Sequence, residues 1–308
     1  MYDIIIVGAG PAGLTAAIYA RRASKKVLVL EARNYGGQII NTLDIENYPV
    51  EAHISGVDFA TKLYNQAKDL GAEILFEKVI NINDEKEKKE VITTKNKYTA
   101  KTIILATGSD NRKLGLENES ELIGKGVSYC ATCDGAFYNN KIVAVVGGGN
   151  TAVEEALYLT DIASKVYLIH RRNELRADDS TINLLKEKKN IEFIYNTNVT
   201  KLNANEKLES IEIKNNDGTE KNIEVDGLFI AVGRNPENEN FAKLINLDNA
   251  GYIIANENCS TNVPGIFAAG DNRTKEVRQL VTATSDGAIA ATFAIKYINS
   301  MKKEDKNV

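Results

Sequence analysis

Cys130 and Cys133 stand two residues apart in the stretch "SYCATCDGAF", Ser128 to Phe137, and the 308-residue chain holds only one further cysteine, Cys259. A Cys-x-x-Cys pair can bind a metal, exchange electrons as a dithiol, or lie inert in a core. Zinc needs four ligands, commonly two close pairs or one pair with suitably spaced histidines. The only histidines, His53 and His170, are not spaced to complete such a site, so no metal is expected. A redox dithiol is the reading these residues favour. Asp134 follows the pair directly. Reducing a disulfide releases a thiolate that must be protonated, and a neighbouring carboxyl with a raised pKa can serve as general acid. Aspartate at such a place also caps helices and turns for local reasons, so both roles stay open.

Two glycine loops supply a second kind of chemistry. The apolar run Ile4–Val7 leads into Gly8-Ala-Gly10-Pro-Ala-Gly13 and an alanine-rich helical stretch, and Glu31 closes the next apolar run 23 positions after Gly8. Glycines there let the backbone approach a pyrophosphate at a helix N-terminus, while the acid accepts from ribose hydroxyls. The pattern recurs as Gly147-Gly-Gly149-Asn150-Thr151, and His170-Arg171-Arg172 occupies the place, 23 positions on, where the first unit has its acid. Arginines form charge-assisted bonds to a 2′-phosphate, so this second site is expected to prefer NADP to NAD. Arg176 offers a further donor. The alternative for this cluster is a solvated basic turn.

The elements that must position these residues form an internal repeat. Each unit reads strand, glycine loop, helix and strand, and each ends in an apolar run reaching a glycine: "TIILATG" (Thr102–Gly108) and "GLFIAVG" (Gly227–Gly233). Continuous apolar runs are expected of parallel strands buried on both faces. Within each unit, strand-like runs joined by "DEKEKKE" (84–90) and "NNDG" (215–218) read as a short β-meander. The expected fold is therefore α/β, with two Rossmann-like dinucleotide-binding domains, each a central parallel sheet plus a meander. Stretches near Arg112–Gly124 and Glu237–Leu247 are the candidate boundaries. Beyond "TNVPGIFAAGD" (Thr261–Asp271), a small-residue run is expected to form a helix that packs closely on another element, and the final "KKEDKNV" to fray.

A charged fraction of 26%, a hydrophobic fraction of 43% and a formal net charge of −4 describe an ordinary globular balance without a field to attract nucleic acid. No apolar run is long enough to span a bilayer, so no membrane partner is expected. The start, "MYDIIIVGAG", has no basic n-region before its strand, and a cytoplasmic location follows as the expectation. Thiols there are kept reduced, which favours a catalytic over a structural role for the cysteine pair.

Taken with "GGQ" (Gly36–Gln38), "ENYP" (Glu46–Pro49), "CATCD", "GGGNTA", "HRRNELRA", "FAAGD" and Arg278-Gln279, these motifs make nearly the whole chain resemble the bacterial low-molecular-weight thioredoxin reductases. That resemblance implies a homodimeric FAD enzyme that uses NADPH to reduce thioredoxin or a thioredoxin-like protein. It places Gly8, Gly10, Gly13 and Glu31 on the ADP moiety of FAD, with Gly36, Gly37, Gln38, Asn47, Asp271, Arg278 and Gln279 around the rest of the flavin. It gives Gly147, Gly149, Asn150 and Thr151 to the NADPH pyrophosphate and ribose, and His170, Arg171, Arg172 and Arg176 to the 2′-phosphate. Electrons would pass from NADPH through FAD to Cys130–Cys133, with Asp134 as acid. The resemblance also implies a split FAD domain (1–112 and 244–308) around an inserted NADPH domain (113–243) that rotates between half-reactions. Val50 stands where the family often carries glycine.

Two other readings compete. Reductases resembling lipoamide dehydrogenase carry their cysteines in the first nucleotide unit and use a C-terminal histidine base, and this chain has neither feature. A nucleotide-binding redox sensor would use the dithiol only as a switch.

Overall fold

The run Ile4–Ile6 is fully buried because it lies in β1 (Tyr2–Val7), between β-strands on both sides. Burying an aliphatic side chain of this size stabilises by about 1.5–3 kcal/mol, so these residues anchor the sheet. The computed structural model describes residues 1–85 and 88–304, and the chain divides into two units: 1–110 with 235–308, and 111–234.

The first unit begins β1, α1 (Pro11–Arg22), β2 (Val27–Glu31), α2 (Gly56–Asp69) and β3 (Glu73–Phe76). It continues through β4 (Val79–Glu85), β5 (Lys88–Thr93), β6 (Lys97–Leu105) and β7 (Ser109–Asn111). Pro11 opens α1, where its fixed φ suits the first turn and its missing N–H costs nothing. Ser55 caps α2 by accepting from the Asp58 amide at 3.0 Å.

The sequence expectation of a charged link at 84–90 is corrected. Asp84 and Glu85 end β4, and Lys88–Glu90 begin β5, antiparallel to it; Lys86 and Glu87 lie outside the described residues. Lys89 is buried in this hairpin, opposite Ala100 of β6, and its ammonium pairs with Asp84.

The second unit repeats the plan: β8 (Val127–Ser128), α3 (Ala131–Asp134), β9 (Ile142–Gly147), α4 (Asn150–Thr160), β10 (Lys165–Ile169), α5 (Asp179–Lys186) and β11 (Ile191–Ile194). Then follow β12 (Thr197–Ala204), β13 (Leu208–Asn215), β14 (Glu220–Glu224) and β15 (Gly227–Ala231). Strands β11-β10-β9-β15-β8 form one parallel sheet, and β12-β13-β14 the antiparallel meander, its second turn at "NNDG".

The chain then returns through β16 (Arg234–Pro236) to β17 (Ile266–Ala268) and α6 (Leu280–Glu304), which completes the first unit. Its sheet runs β3-β2-β1-β6-β5-β4, parallel from β3 to β6. On one side of β6, β5 pairs with residues 97–100 and β17 with residues 103–105. Alanines of α6 (Ala290, Ala291, Ala294) pack into the core with Ala12, Ala16 and Ala20 of α1, and a Cβ on Gly287 would strike the Ala12 carbonyl. The close packing expected of the small-residue helix is thus present. Of the terminal "KKEDKNV", the first three residues continue α6 and the rest lie outside the described residues. No helix among the described residues is long and apolar enough to cross a membrane.

Candidate active site

Cys130 and Cys133 form a disulfide with their Cα atoms 5.3 Å apart. Cys130 is the N-cap of α3, and its carbonyl accepts from the amides of Cys133 (3.2 Å) and Asp134 (3.1 Å), so one tight turn holds both sulfurs. Ala131 buries this turn against the core shared by α4 and the second sheet, and Gly135 leaves room for Tyr158 and Leu159. Ser128, at the end of β8, donates to Asp134 Oδ2 at 2.6 Å and accepts from the Cys130 amide at 3.1 Å. The Asp134 side chain makes no capping hydrogen bond; its partner is the Ser128 hydroxyl. Burial raises its pKa, partly opposed by the Ser128 hydrogen bond. A carboxyl so placed can hold a proton beside a dithiol.

In the same unit the structure brings the second glycine loop and the basic segment together. A Cβ on Gly147 would strike the Ala231 carbonyl, and one on Gly148 the His170 ring, so only glycine fits under the imidazole. The Arg176 amide donates to the Gly148 carbonyl at 2.6 Å. Asn150 and Asp178 exchange hydrogen bonds: Nδ2 to Oδ2 at 3.2 Å, and the Asp178 amide to Oδ1 at 3.0 Å. Thr151 and Arg171, Arg172 and Arg176 are exposed, whereas His170 is buried and its Nε2 has no hydrogen-bond partner among the described residues. Burial, then Arg176, Arg171 and Arg172, push the His170 pKa down. Gly149 caps α4 with open space where a side chain would begin. An orphan ring nitrogen, three exposed guanidinium groups and a bare helix N-terminus fit a phosphorylated dinucleotide.

The first unit builds the corresponding cradle. Gly8 has φ +109°, and its missing Cβ makes room for the Ala106 carbonyl, while Gly13 lets α1 settle on the Gly8 carbonyl. Gly10 caps α1 and faces Gly37. Glu31 accepts from the Ala9 amide (2.7 Å) and the Arg33 amide (2.8 Å), and so braces the glycine loop. Gly36 donates to the Ala9 carbonyl at 2.8 Å, and Gln38 to Asp110 Oδ1 at 2.7 Å. Asn47 donates to Gln279 Oε1 at 3.3 Å across 232 positions, and the Arg278 guanidinium lies 4.2 Å from the Tyr252 ring centroid. Steric exclusion at Gly8 and Gly13 fits a second dinucleotide.

Sequence reasoning missed the residues that hold Asp271. The amide of the preceding Gly270 donates to Asp286 Oδ2 at 2.9 Å, and buried Arg273 binds the same carboxylate through Nε and Nη2, each at 2.8 Å. Lys275 joins at 3.0 Å. Burial would raise the Asp286 pKa, but Arg273, Lys275 and the Gly270 amide overcome it and hold the group ionised below its usual range. Asn238, fully buried, accepts from Thr107 and donates to the carbonyls of Gly251 and Asn272. An acid set among the small residues of the first turns of α6 was the available signal for Asp286. His53 lies in a third cluster in the first unit, with Nδ1 2.9 Å from Asp44 and 3.8 Å from Glu46, all on the surface hairpin around the Ile45–Ile54 bridge.

The family described as pyridine nucleotide-disulphide oxidoreductase matches residues 2–287. The chain is 45% identical over 305 residues to a thioredoxin reductase of Listeria innocua, covering 98% of this chain and 96% of that one. It is 42% identical over 310 residues to a thioredoxin reductase of Bacillus subtilis, with coverage of 100% and 98%. The crystal structure of thioredoxin reductase from Streptococcus pyogenes superposes with a TM-score of 0.93 at 42% identity, covering 97% of this chain and 99% of that chain. A glycine loop, a basic segment and a Cys-x-x-Cys disulfide stand in one unit, and the match spans both units: the chain belongs to the pyridine nucleotide-disulphide oxidoreductase family.

Proposed function

We propose that the chain is an NADPH-dependent, FAD-containing reductase of thioredoxin or a thioredoxin-like protein, acting as a homodimer in the cytoplasm. The observation that carries this reading is the Cys130–Cys133 disulfide with a half-buried, Ser128-bound Asp134 beside it. In this reading the unit of residues 1–110 and 235–308 takes FAD, and the unit of residues 111–234 takes NADPH. When bound, these two groups supply and relay the electron pair that reduces the disulfide.

Each side chain then has a task. The loop at Gly147–Thr151 seats a pyrophosphate on the N-terminus of α4, and Arg171, Arg172 and Arg176 recognise a 2′-phosphate. Glu31 and the Gly8–Gly13 loop hold the ADP part of the flavin; Gly36–Gln38, Asn47, Asp271, Arg278 and Gln279 line the remainder. Asp134 gives a proton to one sulfur when the Cys130–Cys133 bond breaks, leaving one thiol and one thiolate. The thiolate attacks the partner's disulfide, a mixed disulfide forms, and the second cysteine releases the reduced partner while the Cys130–Cys133 bond reforms. Rotation of one unit against the other belongs to this reading, because nicotinamide and dithiol share a unit yet must both reach one flavin. The chain crosses between units only twice, at 110/111 and 234/235, which leaves few connections to bend.

The test is NADPH oxidation by the purified yellow protein with oxidised thioredoxin as acceptor. Sustained, thioredoxin-dependent turnover supports the reading. A protein that binds flavin and nucleotide but turns over negligibly is a sensor instead.

A further inference from the structure

NADPH carries its pyrophosphate and its 2′-phosphate on one ribose, so a site that reads both must hold the groups that bind them at a fixed spacing. In this chain those groups lie on separate segments: the glycine loop between β9 and α4, and the basic run after β10. Three ties join the segments. A Cβ on Gly148 would meet the His170 ring at 2.2 Å, so the imidazole lies directly on the loop backbone. The Arg176 amide donates to the Gly148 carbonyl at 2.6 Å, and Gly149 and Arg176 form a parallel β-bridge. Asn150, the first residue of α4, exchanges two hydrogen bonds with Asp178.

The third tie fixes its own polarity. The Asp178 amide can only donate, so the Asn150 oxygen accepts from it at 3.0 Å. The Asn150 nitrogen then faces Asp178 Oδ2 at 3.2 Å, and a carboxylate can only accept. Both ends of the Asn150 amide therefore hold Asp178. Asp178 precedes α5 as its N-cap, yet its side chain makes no capping hydrogen bond, so the carboxylate serves Asn150 and not the helix. Both residues are exposed, and the pair contributes no core packing.

We infer that Asp178 is a positioning residue for NADPH: it locks the basic segment to the start of α4, and so sets the spacing between 2′-phosphate recognition by Arg171, Arg172 and Arg176 and pyrophosphate binding at the glycine loop. The inference rests on reading the second unit as the NADPH site. Asp178 acts through Asn150 and through Arg176, two positions before it. A nucleotide without a 2′-phosphate gains nothing from this register, so loss of the tie weakens NADP⁺ and spares NAD⁺.

Calorimetric titration of the oxidised, FAD-loaded protein with NADP⁺ and NAD⁺ tests this without turnover. Wild type should prefer NADP⁺. Asp178→Ala should lower that preference about tenfold, the scale of one exposed hydrogen bond to a charged group, and leave NAD⁺ affinity near its wild-type value. Asp178→Asn, whose side-chain oxygen can still accept from Asn150, should retain the wild-type preference. Equal losses for both nucleotides, an unchanged preference in Asp178→Ala, or an Asp178→Asn variant as defective as Asp178→Ala overturns the inference. A wild type without preference for NADP⁺ overturns it together with the NADPH reading. A preference that falls in Asp178→Ala alone upholds it even where thioredoxin is not reduced, so a failed turnover assay counts against the proposed function only.

Discussion

The Ser128 hydroxyl donates to the Asp134 carboxylate at 2.6 Å while accepting from the amide of Cys130, so one side chain ties the acid to the first residue of the redox turn. Ser128 is the interaction that holds the Asp134 pKa down against burial. Ser128→Ala should therefore raise that pKa further. A general acid works while protonated, so the alkaline limb of thioredoxin reduction should move to higher pH. A hydrogen bond to a charged group is worth about 1.5–3 kcal/mol, enough for its loss to displace the limb measurably. A pH-rate profile checks it, and an unmoved limb or one displaced to lower pH would contradict this role.

Asp286 is the hub of a buried ionic cluster, accepting from Arg273, Lys275 and the Gly270 amide. Removing one member of a buried pair leaves an uncompensated charge and costs about 3–5 kcal/mol. Asp286→Ala should lose stability on that scale in urea titrations and bind FAD weakly, because the Gly270–Asp271 turn loses its anchor. Retained flavin with a loss under about 1 kcal/mol would show the cluster to be dispensable.

Val50 has φ +80° and is fully exposed, a β-branched residue in the left-handed region with no packing to hold it there. That conformation costs roughly 1–2 kcal/mol for a non-glycine residue, and glycine forfeits part of the gain through its freer unfolded chain. Val50→Gly should raise stability by about 0.5–1 kcal/mol without changing turnover. Destabilisation would mean that the turn adopts another conformation in solution.

Replacing Arg171, Arg172 and Arg176 with alanine should reduce kcat/KM for NADPH far more than for NADH. Charge-assisted bonds are worth roughly 1.5–3 kcal/mol each, but exposure brings such contacts toward about 1 kcal/mol, so the preference should fall about tenfold to a hundredfold. Equal losses with both nucleotides would assign the arginines to the fold instead.

Both glycine loops were legible because their constraint is local: a strand, a forbidden Cβ and a helix start follow one another within a few residues. His170–Arg172 was legible because the repeat fixes where the acid of the first unit should recur. Cys130, Cys133 and Asp134 were legible from sparse cysteine usage. Ser128 lay inside the same quoted stretch, yet nothing local says that its hydroxyl turns toward Asp134 six positions on. Asp286 was hidden because its partner, Arg273, lies on another segment and meets it only after packing. The charged stretch at 84–90 misled because charge density suggested a solvated link, whereas pairing with β6 carries Lys89 into the sheet.

The central claim is that Cys130 and Cys133 stand downstream of the flavin and carry its electrons to the protein substrate. Stopped-flow absorbance of Cys130→Ser and Cys133→Ser, each loaded with FAD, measures it most directly. NADPH should bleach the flavin at close to the wild-type rate in both variants, while thioredoxin reduction falls to background. Near-normal thioredoxin turnover in either variant would contradict the account.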